Sequence, residues 1–238
     1  MKSIKKKMIS FVWKLVPESS FKRLMRSYFY NKEDFAFKSD NVFSEIYAGK
    51  TNLWGQQESK SGGGSTMEAT AILREKLSLI IEKYSITSLL DVPCGDYNWM
   101  KTVVKQCSYI GGDIVPELIE NNQKLYGSDN VRFKVIDITK DILPKVDLIF
   151  CRECLQHLSN DNVKNAIENF ISSGSKYLLV TSYPKTWRNY DIYDGDYRAL
   201  NLRKKPFYLP KPLLVIKEDV LAPLGFDKSM YLYQLDSV

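Results

Sequence analysis

The chain has 238 residues, is 44% hydrophobic, and carries 34 Lys/Arg against 28 Asp/Glu with one His, a formal charge of +6. That length suits one domain, or one domain with an extension, and no apolar run approaches the roughly 18 residues of a membrane-crossing helix. The basic excess is local: residues 1–30 hold eight Lys/Arg and one acid, a net of +7, so the other 208 hold 26 and 27, a net of −1, and a body without a basic field argues against a nucleic-acid enzyme.

Residues 1–50 are predicted as a helical basic N-terminal extension. Ile4, Met8, Phe11, Val12 and Leu15 share a helical face that ends at Pro17, and Phe21, Leu24, Met25 and Tyr28 suggest a second short helix. A basic amphipathic segment suits peripheral contact with an anionic membrane, here the inner face. It equally suits docking on the body or on a second copy in a homodimer. Lys14 interrupts the apolar stretch and no small-residue cleavage site follows, so a signal peptide is not expected.

Residues 51–238 are read as the main domain. The stretch 51–66 contains Trp54-Gly55 and Ser61-Gly62-Gly63-Gly64-Ser65. It is either a linker or a Gly-rich cover over a ligand, and the Trp favours the cover. A helix is expected over 66–84, from Ala71, Leu73, Leu77, Ile80 and Ile81. A strand follows over 87–92, then a short helix over 99–106 and a second strand over 109–113. A helix opening near Pro116, a third strand over 131–136 and a fourth over 146–151 come next. A helix over 160–172 and a fifth strand over 177–181 complete the alternation. This pattern predicts an α/β, Rossmann-like sheet that is mostly parallel with helices on both faces. Two closing strands are expected over 213–218 and 230–235. The aperiodic stretch 183–212 should lie over the carboxyl end of the sheet, where ligands bind in such folds.

The cysteines are Cys94, Cys107, Cys151 and Cys154. Their uneven spacing fits a reducing cytoplasm. Cys151-x-x-Cys154 with His157 nearby lacks a fourth metal ligand, so these thiols read as small apolar fillers and no metal is expected. Asp191, Asp194 and Asp196 are a second acid-rich group, read as a turn-rich surface.

The most informative stretch is Asp91-Val92-Pro93-Cys94-Gly95-Asp96. A buried strand ends in an acid, and a Gly-bearing turn leads on towards a helix. The amides of such a turn can hold a charged ligand. Asp113 ends the second strand, placed to accept both ribose hydroxyls of a nucleoside, with Ile114 beside it for a purine face. Asp137 ends the third strand, where it can accept from an adenine amino group. The spacing is not Gly-x-Gly-x-x-Gly, which argues against a dinucleotide.

Asp91-x-x-x-Gly95, Gly112-Asp113, Ile136-Asp137-Ile138 and Asp147-Leu148-Ile149-Phe150-Cys151-Arg152 together resemble class I S-adenosylmethionine-dependent methyltransferases over roughly residues 66–182. Trp54-Gly55, the 61–65 Gly run, the 91–100 segment and Leu155-Gln156-His157-Leu158 are similar to a bacterial branch associated with capsule and surface-polysaccharide synthesis. That branch is suspected to methylate sugars. The resemblance implies the class I sheet with an antiparallel closing strand and S-adenosylmethionine as cofactor, with S-adenosylhomocysteine as product. It places Trp54, Gly64, Ser65, Asp91, Pro93 and Gly95 near the cofactor, with Asp91 and Gly95 at its methionine part. Asp113 and Ile114 would hold the ribose and purine, Asp137 and Ile138 the adenine, and Cys151 and Arg152 would face the sulfonium.

Methyl transfer from a sulfonium rests mostly on alignment, but an alcohol acceptor must also lose its proton. His157, the one histidine, is the candidate base, with Glu153 as the reserve if burial raises its pKa. Tyr183, Asn189, Arg198 and Asn201 of the 183–212 loop are the candidate acceptor-binding residues, suited to a sugar and a phosphate. The expected acceptor is a nucleotide-activated sugar, with heptose the narrowest reading. The alternatives are another small molecule, a protein side chain, or a cofactor-binding subunit without activity.

Overall fold

The structure is a computed structural model that describes residues 30–32, 42–49, 58–104, 107–218 and 227–238. The predicted helices over 4–28 and Trp54 lie outside these residues. Five parallel strands, β1 (Ser88–Asp91), β2 (Ser108–Asp113), β3 (Val131–Val135), β4 (Leu148–Cys151) and β5 (Tyr177–Ser182), form the body of the sheet. β6 (Leu214–Lys217) and β7 (Ser229–Gln234) close it in the order β3-β2-β1-β4-β5-β7-β6. β7 runs antiparallel to both neighbours, in register from Tyr177↔Gln234 to Ser182↔Ser229 on its β5 side. The strand order reverses between β1 and β4, and this opens a crevice above their carboxyl ends.

Side-chain alternation explains the layers. Leu89, Leu148 and Phe150 point to one face, packing with Leu73, Leu77 and Ile80 of α2 (Ala71–Lys83). Leu90, Ile149 and Cys151 point to the other, packing with Val163, Ala166, Ile167 and Phe170 of α4 (Asn160–Ser172). Each large apolar side chain so buried contributes about 1.5–3 kcal/mol. α3 (Pro116–Tyr126) starts on the expected proline. α4 starts on Ser159, whose Oγ accepts the Asn162 N–H. A further helix, α1 (Val42–Tyr47), lies within the predicted extension and buries Val42 and Ile46.

Two local expectations change. Of the helix expected over 99–106, the described residues 99–104 form a single 3-10 turn, Met100–Thr102. Trp99, Met100 and Val104 are all buried there, and the β-branched pair Val103-Val104 resists helix. The helix expected from Thr66 begins at Ala71, because Thr70 Oγ1 turns back to the Thr66 carbonyl at 2.8 Å.

Candidate active site

Two adjoining cavities occupy the crevice. The larger, about 640 Å³, is lined by the 61–65 loop, Asp91, Pro93, Gly95 and a wall from Arg152 to His157. The smaller, about 90 Å³, is lined by Asp113, Ile114, Asp137 and Ile138. Tyr47, Pro93, Glu153 and His157 line both.

The turn after β1 is built for close approach. Gly95 sits at φ +54°, and a Cβ there would fall 2.2 Å from Ser61 Oγ. Asp96 ties the Gly-rich stretch to this turn, since its carboxylate accepts from Ser59 Oγ at 3.0 Å and the Lys60 N–H at 2.8 Å. Ser61 Oγ accepts the Asp96 N–H at 3.1 Å and shares a 2.8 Å hydrogen bond with Tyr47 Oη. Gly64 and Ser65 belong to a 3-10 turn, Gly63–Ser65, on the cavity wall. Residues 58–65 are therefore a tethered wall of the cavity.

Burial pushes the Asp91 carboxyl up to about 8, although it accepts a 2.8 Å hydrogen bond from Tyr109 Oη. Burial also raises Asp113, to about 6, while hydrogen bonds from the Val115 and Gly95 amides hold it down. Gly95 N–H reaches Asp113 Oδ2 at 3.2 Å and Val115 N–H reaches Oδ1 at 3.1 Å. The two amides aim this carboxylate and leave it lone pairs for further donors. Asp137 accepts from Thr139 N–H at 2.9 Å and Thr139 Oγ1 at 2.6 Å. These bonds and Lys140 outweigh its burial and hold it below the usual carboxylate range. Ile114 and Ile138 give the smaller cavity its apolar wall.

On the opposite wall, His157 is half-buried. Its Nδ1 lies 2.8 Å from the Asp196 backbone oxygen. A carbonyl only accepts, so Nδ1 carries the proton and the lone pair sits on Nε2. Burial lowers the imidazole pKa, which keeps the ring neutral near pH 7.

Glu153 behaves differently from the expectation. Burial works to raise its pKa, but Lys228, Arg152, His157 and Tyr183 prevail and hold it at about 2. Lys228 Nζ lies 3.4 Å from its carboxylate, and Tyr183 Oη and Gln156 Nε2 donate to it at 3.1 and 3.2 Å. Glu153 is thus a fixed anion and a poor proton acceptor near neutrality. Arg152 lines the cavity, but its guanidinium is committed to Glu218, at 2.6 and 3.1 Å, and lies 5.8 Å over the Trp99 ring.

Four other expectations are corrected by placement. Cys151 is fully buried in the α4-side core and lines neither cavity. Arg198 is also fully buried, where it donates to the Leu158 carbonyl and to Asn160 Oδ1. The Asn189 side chain donates to the Asn201 and Lys205 carbonyls and accepts the Asn201 N–H, and the Asn201 side chain donates to the Pro184 and Thr186 carbonyls. These side chains hold the 183–212 loop together, and of the four proposed acceptor contacts only Tyr183 lines the cavity. The nearby acids have structural work too: Asp194 accepts the Ser159 N–H at 2.6 Å and Asp191 the Asn160 N–H at 2.8 Å, at the start of α4. Among the described residues no group of three or more His, Cys, Asp or Glu is arranged to hold a metal ion.

The site also contains residues that the sequence reading missed. Tyr47 enters from α1, where the Val42/Ile46 spacing was a readable helical signal. Asp96 stood inside the quoted motif. Lys228 carried no signal in its local pattern, whereas Tyr197 was among the aromatic residues expected of the 183–212 loop.

Residues 89–173 match a family described as a methyltransferase domain. The fold is shared with the N-methyltransferase NodS from Bradyrhizobium japonicum WM9, solved with S-adenosylhomocysteine, at 14% identity over 82% of this chain and 98% of that one, TM-score 0.59. Human N-acetylserotonin methyltransferase, solved with S-adenosylmethionine, aligns at 12% identity over 90% of this chain, TM-score 0.58, and this chain spans 66% of that one. An S-adenosylmethionine-dependent methyltransferase from Clostridium acetobutylicum ATCC 824 aligns at 17% identity over 71% and 91% of the two chains, TM-score 0.50. At these identities the likeness is one of fold. No curated protein matches the chain by sequence. Residues 89–173 thus match a methyltransferase domain, and the chain shares the class I fold of these solved methyltransferases.

Proposed function

We propose that the protein transfers a methyl group from S-adenosylmethionine to a hydroxyl of a nucleotide-activated sugar, with heptose the narrowest acceptor, for capsular or other surface polysaccharide. The observation that carries this reading is His157, neutral, with Nδ1 donating to the Asp196 carbonyl and its ring in the wall shared by both cavities. An alcohol needs such a base, because its proton must leave as the new C–O bond forms.

The residues present fit the cofactor. Asp113, aimed by two amides, suits the ribose hydroxyls, Ile114 and Ile138 suit a purine face, and Asp137 suits the adenine amino group. Asp91 and the Gly95 turn suit the methionine part. When bound, S-adenosylmethionine supplies an electrophilic methyl group on a sulfonium. Tyr183, Gln156 and Tyr197 give the larger cavity polar side chains for a sugar. His157 Nε2 takes the hydroxyl proton, and the Asp196 carbonyl keeps Nδ1 protonated meanwhile.

The basic segment 1–30 belongs to this proposal as a contact for an anionic membrane at its cytoplasmic face, or for a second copy. No helix among the described residues is long and apolar enough to cross a membrane.

The test is incubation of the full chain with S-adenosylmethionine and a panel of nucleotide-sugars, read by mass spectrometry. A methylated nucleotide-sugar is expected. The reading fails if only non-sugar small molecules or peptides gain methyl groups, or if nothing does while S-adenosylhomocysteine still binds.

Cofactor affinity should also depend on pH. In the ligand-free fold Asp91 holds its proton up to about pH 8, well above its unfolded value of 3.8. Its burial therefore costs stability progressively as pH rises from about 4 towards 8. A cation placed beside Asp91 favours the ionised form, so binding releases a proton below pH 8. Affinity for S-adenosylmethionine should rise by up to about tenfold from pH 6 to pH 7, by calorimetry, with no such rise in Asp91→Asn. A pH-independent affinity in the wild type would show that Asp91 does not face a cofactor charge.

A further inference from the structure

The N-terminal arm touches the loop that holds His157. Tyr30 donates its hydroxyl to Asp196 Oδ2, and its ring packs at a tilt against Tyr190, centroids 4.8 Å apart. Lys32 pairs with Asp191 at 2.9 Å and lies 5.0 Å over the Tyr193 ring. Further along the arm, Val42 opens α1 against Gly195. A Cβ at Gly195 would sit 2.4 Å from Val42 Cγ2, and its φ of +88° already disfavours other residues.

The touched residues are the ones that hold the imidazole. The Gly195 N–H donates to the His157 carbonyl at 2.8 Å. The Asp196 carbonyl accepts Nδ1–H at 2.8 Å, and Asp196 Oδ1 accepts the Tyr197 N–H at 2.7 Å. Backbone and ring of His157 are thus gripped by two consecutive residues, each braced by the arm.

We infer that the N-terminal arm positions His157: Tyr30 and Val42 lock Gly195-Asp196 so that the Asp196 carbonyl fixes the Nδ1–H tautomer. Tyr30 and Gly195 act through His157 and are positioning residues. The functional value of this clamp rests on the reading of His157 as the base. A neutral imidazole has two tautomers, and only the one protonated on Nδ1 leaves Nε2 able to accept a proton. If the Asp196 carbonyl swings away, part of the population protonates Nε2, and that part cannot act as base.

The chain has one histidine, so its ring can be observed alone. The test uses the full chain without an affinity tag, isotope-labelled at the imidazole nitrogens, with the tautomer read by nitrogen NMR above the titration range. The wild type should be almost wholly Nδ1–H. Tyr30→Phe keeps the ring contact with Tyr190 and removes only the hydroxyl, and Gly195→Ala presses on Val42. In either variant the Nε2–H fraction should rise several-fold. An unchanged tautomer ratio in both variants overturns the clamp. The base reading has its own readout, the transfer rate of His157→Gln, so each idea fails by its own measurement.

Discussion

His157→Gln is expected to lower the methyl-transfer rate constant by about 10²–10⁴-fold while leaving S-adenosylhomocysteine affinity near wild type. The split follows from geometry. Asp91, Asp113 and the Gly95 turn stand on one wall, and none of them bonds to the His157 side chain. Glutamine keeps polarity and much of the volume but cannot take a proton at neutral pH. Glu153 lines the same cavities yet cannot replace it, since its neighbours hold its carboxyl at about 2. Raising the pH should therefore not rescue the variant by ionising Glu153, which is already an anion. Steady-state kinetics and calorimetry check the two halves separately. A wild-type rate would remove His157 from the mechanism.

Glu218→Leu should destabilise the fold by about 3–5 kcal/mol, the usual cost of stranding a buried charge. The Arg152 and Glu218 side chains are 4% and 2% exposed and 2.6 Å apart, and Lys228 lies 3.5 Å from the same carboxylate oxygen. Removing Glu218 leaves two buried cations to share Glu153. Lys228 would then draw on the anion that also receives Tyr183 and Gln156, so the acceptor wall should loosen with the fold. Arg152→Met combined with Glu218→Leu removes both charges and should recover most of the loss. Urea unfolding of the three proteins measures this. A single-variant loss under about 1 kcal/mol would place the pair with weak, solvent-screened bridges.

The parallel sheet was legible because its signals are local. Short apolar runs alternating with helical stretches gave β1 to β5, and the acids after three successive strands, Asp91, Asp113 and Asp137, line the two cavities. Register parity could have corrected Cys151 in advance. It shares Ile149's face, which is the α4 core, and strands have a period of two. The 183–212 loop was harder. Its amides and arginine looked available for a ligand, but a long irregular segment must satisfy its own backbone first. Asn189, Asn201 and Arg198 are used up in that way. The state of Glu153 was not readable at all, because it depends on Lys228, brought alongside only by the closing strand β7.

The most direct test of the proposed chemistry is a crystal structure of the protein with S-adenosylhomocysteine and a nucleotide-sugar. The adenosine part of S-adenosylhomocysteine should lie between Asp113 and Ile138, with the thioether sulfur facing the larger cavity. One sugar hydroxyl should lie within about 2.6–3.2 Å of His157 Nε2. A sugar bound outside that cavity, or a hydroxyl facing another base with the His157 ring turned away, would contradict it.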